Sequence, residues 1–91
     1  MTEGVVRHNE KRHRFEAGGT ENPAHLDYRL REGVVDMVHT EVPAEYQGQG
    51  LAGKLAAAAL DWARESGRKV VPSCSYIKGY LGKHPEYEDL L

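Results

Sequence analysis

The stretch Gln47-Gly48-Gln49-Gly50-Leu51-Ala52 stands where one hydrophobic pattern ends and another begins. Upstream, Val34 to Val42 carries the apolar residues of a buried strand, and Pro43 stops it. Downstream, Leu51, Leu55, Ala58 or Ala59, and Trp62 recur at helical spacing, with Lys54, Asp61, Arg64 and Glu65 mostly elsewhere. Four alanines, 56 to 59, favour helix and permit close approach to a sheet. A glycine pair between strand and helix has a specific consequence. The first amides of a helix lack intrahelical acceptors, and the macrodipole is positive there. Gly48 and Gly50 remove side chains that would hinder an anion from reaching the main chain, and Lys54 adds a cation one turn on. Alone, the same pattern also suits an ordinary strand-to-helix turn.

Two better-known phosphate loops are excluded by spacing. Lys54, Leu55 and Ala56 follow Gly53, so the dinucleotide pattern G-x-G-x-x-G is absent. Gly48 and Gly53-Lys54 have the P-loop spacing, but Leu55 stands where the magnesium-binding hydroxyl belongs, and the chain is short for that fold.

Outward from the loop, the N-terminal half reads as strands. Val5 and Val6 open a first strand, ended by Asn9-Glu10-Lys11. Residues 12 to 17 form a second, paired to it by a tight turn. Gly18-Gly19-Thr20 and Asn22-Pro23 break the chain. Ala24, Leu26, Tyr28 and Leu30 then alternate with His25, Asp27 and Arg29, a half-buried strand. Arg31-Glu32-Gly33 turns into the strand 34–42, completing an antiparallel meander. Beyond the helix, Gly67 is a C-terminal stop and Val70-Val71-Pro72 a short strand. The strand–helix–strand passage implies a parallel pair. Ser75 is expected to cap a last helix through about Lys83, halted by Pro85. The class is α/β (α+β), with a mixed, mostly antiparallel sheet of about five strands, one main helix and a short C-terminal one. Residues 1–91 are read as one domain.

Composition narrows the partners. Fourteen acidic residues against 12 Lys plus Arg give a formal charge of -2, which argues against nucleic acid or an anionic membrane while allowing a local basic patch. No apolar run approaches the length of a membrane span, and Met1 to Val6 resembles no signal segment. With the single Cys74 unable to form an internal disulfide, a cytoplasmic setting is expected. The histidines at 8, 13, 25, 39 and 84 offer no ligand spacing, so no metal is expected.

Q-G-Q-G-L-A resembles the acyl-CoA-binding Q/R-x-x-G-x-G/A motif of the GNAT acetyltransferase superfamily. H-T-E-V-P before the loop, and V-V-P-S-C-S-Y and H-P-E-Y after it, resemble the small GNAT-like members, so the likeness runs from about Val5 to Leu91. The resemblance implies acetyl-CoA as cofactor, its pyrophosphate on Gln47, Gly48, Gln49, Gly50, Leu51 and Ala52 with Lys54 nearby. It implies a splayed fourth and fifth strand, with backbone groups of Thr40, Glu41 and Val42 pairing the pantetheine arm. It also points to Cys74 and His39 as a catalytic pair facing each other across the thioester. Either Cys74 carries the acetyl group in a ping-pong reaction, or His39 deprotonates the acceptor amine while Cys74 protonates the departing thiolate. Without the family, a buried apolar cysteine and a hydrogen-bonded strand histidine account for both residues. Two helices of full-length GNAT enzymes are missing after the first strand, which leaves the acceptor site open or completed by a partner. The implied activity is N-acetyl transfer to an unidentified amine, possibly on a protein or peptide; the rival is a module that binds acyl-CoA without efficient transfer. Tyr76 and Tyr80, four apart on the last helix, could pack against the sheet or touch the CoA and are read as packing residues, Met37 and Trp62 as core, and Glu41 and Glu45 as facing solvent or acceptor.

Overall fold

A computed structural model describes residues 6–91; Val5, read above as opening the first strand, lies outside them. Five strands lie in chain order across one sheet: β1 (Val6–Asn9), β2 (Arg14–Ala17), β3 (Ala24–Arg31), β4 (Val34–Glu41) and β5 (Lys69–Pro72). The first three pairings are antiparallel and β4–β5 is parallel, as the long crossover demands. The crossover is helix α1 (Leu51–Glu65), and α2 (Ser75–Lys83) follows β5.

Strand alternation selects the core. Phe15, Ala17, Ala24, Leu26, Tyr28, Val35, Met37 and Val70 form one buried cluster with Leu51, Leu55, Ala56, Ala59, Leu60 and Ala63 of α1 and Ile77 and Leu81 of α2. The alanine stripe lets α1 lie close to the sheet. Trp62 is only half-buried; it covers the edge of the core, 5.7 Å from the Phe15 ring and 4.9 Å from Tyr28. Gly67 ends α1 in the left-handed region (φ 72°), with Arg68 N–H returning to the Ala63 carbonyl at 2.9 Å. A 3₁₀ turn over Pro85–Leu90 folds back beside α1, where the Tyr87 hydroxyl donates to Asp61 at 2.9 Å.

Both helices therefore occupy one face. The opposite face of the sheet carries Arg14, Glu16, His25, Asp27, Arg29 and Asp36, none of them buried, and no helix among the described residues covers it.

Three local expectations change. The β1–β2 connection is a 3₁₀ turn, Glu10–Arg12, closed by His13 in the left-handed region, so β2 starts at Arg14 rather than at residue 12. Asn9 Oδ1 accepts the Arg12 amide, an Asx-type bond that favours this turn over a two-residue hairpin. Ser75 is the first residue of α2, not its cap; Cys74 holds the cap position with extended backbone and makes no capping bond. Third, β4 contains an irregularity. Asp27 pairs with His39, yet the next residue, Tyr28, pairs with Met37, which leaves Val38 as an extra residue on β4. Such a bulge reverses which face the following side chains take.

Candidate functional site

The parallel pairing of β4 with β5 ends at Met37 and Pro72. The Cys74 amide makes one more bond, to the Met37 carbonyl at 2.9 Å, and the chain then turns away into α2. β4 instead continues to Glu41, still paired with β3 through His39, Thr40 and Glu41. Its other edge, from Val38 onward, has no strand partner among the described residues, so its backbone donors and acceptors are available. This is the splay expected at Thr40 to Val42.

The free edge leads into a concavity of about 220 Å³ bordered by Val42, Tyr46, Gln47, Gly48, Gly50, Leu51 and Ala52. Its geometry follows from the glycines. Gly48 and Gly50 sit at φ 85° and 75°, a region that penalises any side chain by roughly 1–2 kcal/mol. A Cβ at either would meet no protein atom within 4 Å. Gly50 is the N-cap of α1 and has no side chain to offer, so no side chain caps the first amides of the helix. No acidic residue lies in that turn. Unmet donors at the positive end of a 15-residue helix suit a pyrophosphate. Leu51 is buried and anchors the helix start, leaving its main chain to face the concavity. Gln47 ties the loop to the end of β4, its side-chain amide donating to the Val42 carbonyl at 3.3 Å. Gln49 and Lys54 are exposed and do not border the concavity.

Tyr46 was not singled out in the sequence, yet it holds this loop in place. Its hydroxyl accepts the Gly19 amide at 2.7 Å, and its ring lies against Gly18, where an added Cβ would come within 3.0 Å. The Gly18-Gly19 breaker is therefore also the seat of a tyrosine 27 residues away. Two glycines before an extended strand, with a tyrosine beside the phosphate loop, were the available signal.

Cys74 and His39 are not brought together. The bulge at Val38 turns Thr40 to the helix face, opposite buried Leu26, and His39 to the open face, opposite Asp27. The Cys74 thiol donates to Thr40 Oγ1 at 3.4 Å on the helix side. His39 Nε2 lies 3.3 Å from Glu41 Oε1, and its ring is 5.9 Å from that of His25, which in turn sits 3.0 Å from Asp27. Cys74 and His39 thus stand on opposite faces of the sheet at the splay. Glu41 faces the open side, as expected of a residue that would otherwise repel a phosphate. The His25, Asp27, His39 and Glu41 side chains do not converge as a metal-ligand set.

Tyr76 departs from the packing role expected of it. Rather than packing into the core it is exposed, and its hydroxyl lies over the first turn of α1, 3.6 Å from where a Cβ on Gly53 would stand. Burial of the hydroxyl, and then the neighbouring Cys74, push its pKa above the ordinary tyrosine value. Tyr80, half-buried, stacks on His84 at 4.0 Å and continues the aromatic row along α2.

The family model described as GCN5-related N-acetyl-transferase matches residues 14–90. The chain belongs to the GCN5-related N-acetyltransferase family. Among curated relatives, protein NATD1 of Gallus gallus is 40% identical over 83 residues, covering 88% of this chain and 76% of that one. The Homo sapiens NATD1 is 39% identical, covering 88% and 74%. The solution structure of a GCN5-like protein from Staphylococcus aureus superposes with a TM-score of 0.78 at 33% identity, across 99% of this chain and 89% of that one. Membership in the GCN5-related family accounts for the mixed five-stranded sheet and for the gap between β4 and β5 as one arrangement.

Proposed function

We propose that the protein is an acetyl-CoA-dependent N-acetyltransferase that moves the acetyl group directly from the thioester to an amine. The observation that carries the reading is continuity. The partnerless edge of β4 runs from Val38 straight into the concavity at the start of α1, so an extended arm and a pyrophosphate find a sheet edge and unmet helix amides in one line. Backbone groups of Thr40 to Val42 pair the arm, and the amides of Gln47 to Ala52 hold the phosphates, with Lys54 adding charge nearby.

Acetyl-CoA supplies the activated acyl group. The chain's own residues handle protons on the two faces. His39, held by Glu41, accepts the proton released as the amine nitrogen bonds to the acetyl carbon. On the helix side, Cys74 and Tyr76 would protonate the thiolate released when the thioester carbon–sulfur bond breaks. A thiol donating to Thr40, with His39 on the other face, favours direct transfer over an acetyl-cysteine. The lone Cys74 suits a reducing, cytosolic setting.

The second reading is a CoA-binding module without efficient transfer, and the uncovered face of the sheet favours it. Calorimetry with CoA and acetyl-CoA, followed by transfer assays on amine substrates, separates the two: binding with transfer supports the enzyme, and binding alone the module. If neither ligand binds, both are wrong.

A further inference from the structure

The face of the sheet opposite the helices is uncovered and carries charges of both signs, with an excess of unpaired cations at one end. Toward the β1–β2 end lies an open trough of about 540 Å³. Lys11, Arg12, Arg14 and Arg29 border it with four positive charges, Asp27 contributes one negative, and Val38 closes it toward β4. Arg14 is engaged by Glu16 at 2.8 Å. Lys11, Arg12 and Arg29 are exposed and have no ion-pair partner among the described residues. Asp27, which lines the trough, adjoins His25, His39 and Glu41 on the same face, and Asp36 stands across from Arg29. A chain of net charge -2 has thus gathered unpaired cations at one place beside its candidate centre.

The position of Val38 connects the two regions. It is the bulged residue where β4 parts from β5, and it also lines the trough. A ligand in the trough can therefore reach the splay. On this face an ammonium finds Asp27 and Glu41, and carboxylates find the exposed Lys11, Arg12 and Arg29, which have no ion-pair partner among the described residues. From β4 to β2 is two strand spacings, about 10 Å, which an extended peptide covers in about three residues. The trough is open to solvent and crosses neighbouring strands, a shape that takes an extended chain rather than enclosing a small molecule.

We propose that this trough is the acceptor site, and that the acceptor is a polypeptide whose reacting amine is accompanied within about three residues by acidic side chains. The inference rests on the transferase reading above and adds the substrate class.

The test uses three peptides of equal length that begin with the same N-terminal alanine and carry Glu, Gln or Lys at the next three positions, with acetyl-CoA as donor. Expected is a kcat/KM for the Glu peptide about tenfold above the Gln peptide, with the Lys peptide lowest, and a preference that shrinks as salt rises from about 50 to about 500 mM. Arg12→Glu and Arg29→Glu, both at exposed positions, should each reduce or reverse the preference while leaving acetyl-CoA affinity unchanged. Equal rates for the Glu and Gln peptides, or a preference that survives both charge reversals, would overturn the proposal. So would inhibition by a single-stranded oligonucleotide or by free glutamate as strong as that by the Glu peptide. A Glu peptide with a blocked amine gives a reading independent of turnover, since it should shift the backbone amide resonances of residues 11–14 and 29. Shifts there without transfer to any peptide would retain the docking surface and sink the transferase reading. Transfer without acidic preference would do the reverse.

Discussion

The Cys74 thiol donates to the Thr40 hydroxyl across 3.4 Å, a contact on the helix side of the sheet. A cysteine nucleophile needs a base within reach, whereas the nearest histidine on β4 faces the other way. Cys74→Ala is therefore expected to keep acetyl transfer within about tenfold of the parent, because Tyr76 remains as a proton donor. Intact mass after incubation with acetyl-CoA should show no acetyl adduct in either protein. An adduct on the parent that disappears in Cys74→Ala would establish the covalent route instead.

His39 is the group on the open face suited to take the amine proton. His39→Ala should lower kcat about 100-fold, within the range by which positioned general bases accelerate reactions. Acetyl-CoA affinity measured by calorimetry should be unchanged. A fall in affinity as large as the fall in kcat would assign His39 to the cofactor instead.

Much of this arrangement was legible in the sequence, and the part that was not has one cause. Ala24, Leu26 and Tyr28 alternate without interruption, so β3 and its buried face follow from period two alone. Gln47 to Ala52 could be placed at a helix start because Val42, Pro43 and Leu55 bracket it. His39 could not be oriented. Counting in twos from Val35 and Met37 puts His39 on the buried face, beside the helix and Cys74. The bulge at Val38 adds one residue and exchanges His39 for Thr40. A bulge adds no distinctive residue here, since valine suits a regular strand equally well. The role of Tyr46 is illegible in the sequence for a different reason. Its partner, the Gly19 amide, is remote in sequence, and no local periodicity reports a contact between two loops.

Gly50 carries the loop's conformation and Glu45 does not. Gly50→Val should cost about 1–2 kcal/mol of stability through the left-handed backbone it must adopt, and should weaken CoA binding at least tenfold. Glu45→Gln, on an exposed side chain, should change neither by more than about 0.5 kcal/mol. Thermal melts and calorimetry on the two variants check this. Equal effects on CoA affinity would contradict the geometry assigned to residues 47–52.

Tyr46→Phe isolates one hydrogen bond. It keeps the ring on Gly18 and removes the acceptor of the Gly19 amide. Leaving that partly buried donor unmet should cost about 1–2 kcal/mol. Hydrogen exchange at Gly19 should quicken, and CoA affinity should fall with it, since the same residue borders the concavity. Faster exchange with unaltered affinity would show that the loop tie and the cofactor site are independent.

His8 gives the fold a pH dependence of predictable sign. Its ring stacks on Phe15 at 4.1 Å, meets the edge of Trp62 at 4.7 Å and shares a 2.6 Å hydrogen bond with the Tyr28 hydroxyl. Burial lowers its pKa below the ordinary 6.5, partly offset by Glu10. The unfolded chain therefore binds a proton at His8 more readily than the folded one, and stability falls as pH drops below 6.5 until the folded-state pKa is passed. His8→Gln retains a polar partner for Tyr28 and does not titrate. Denaturant midpoints measured between about pH 7.5 and pH 5 should decline less steeply in the variant than in the parent. Parallel curves would mean that His8 charges as easily inside this aromatic cluster as in water, which a ring stacked on Phe15 and edged by Trp62 should resist.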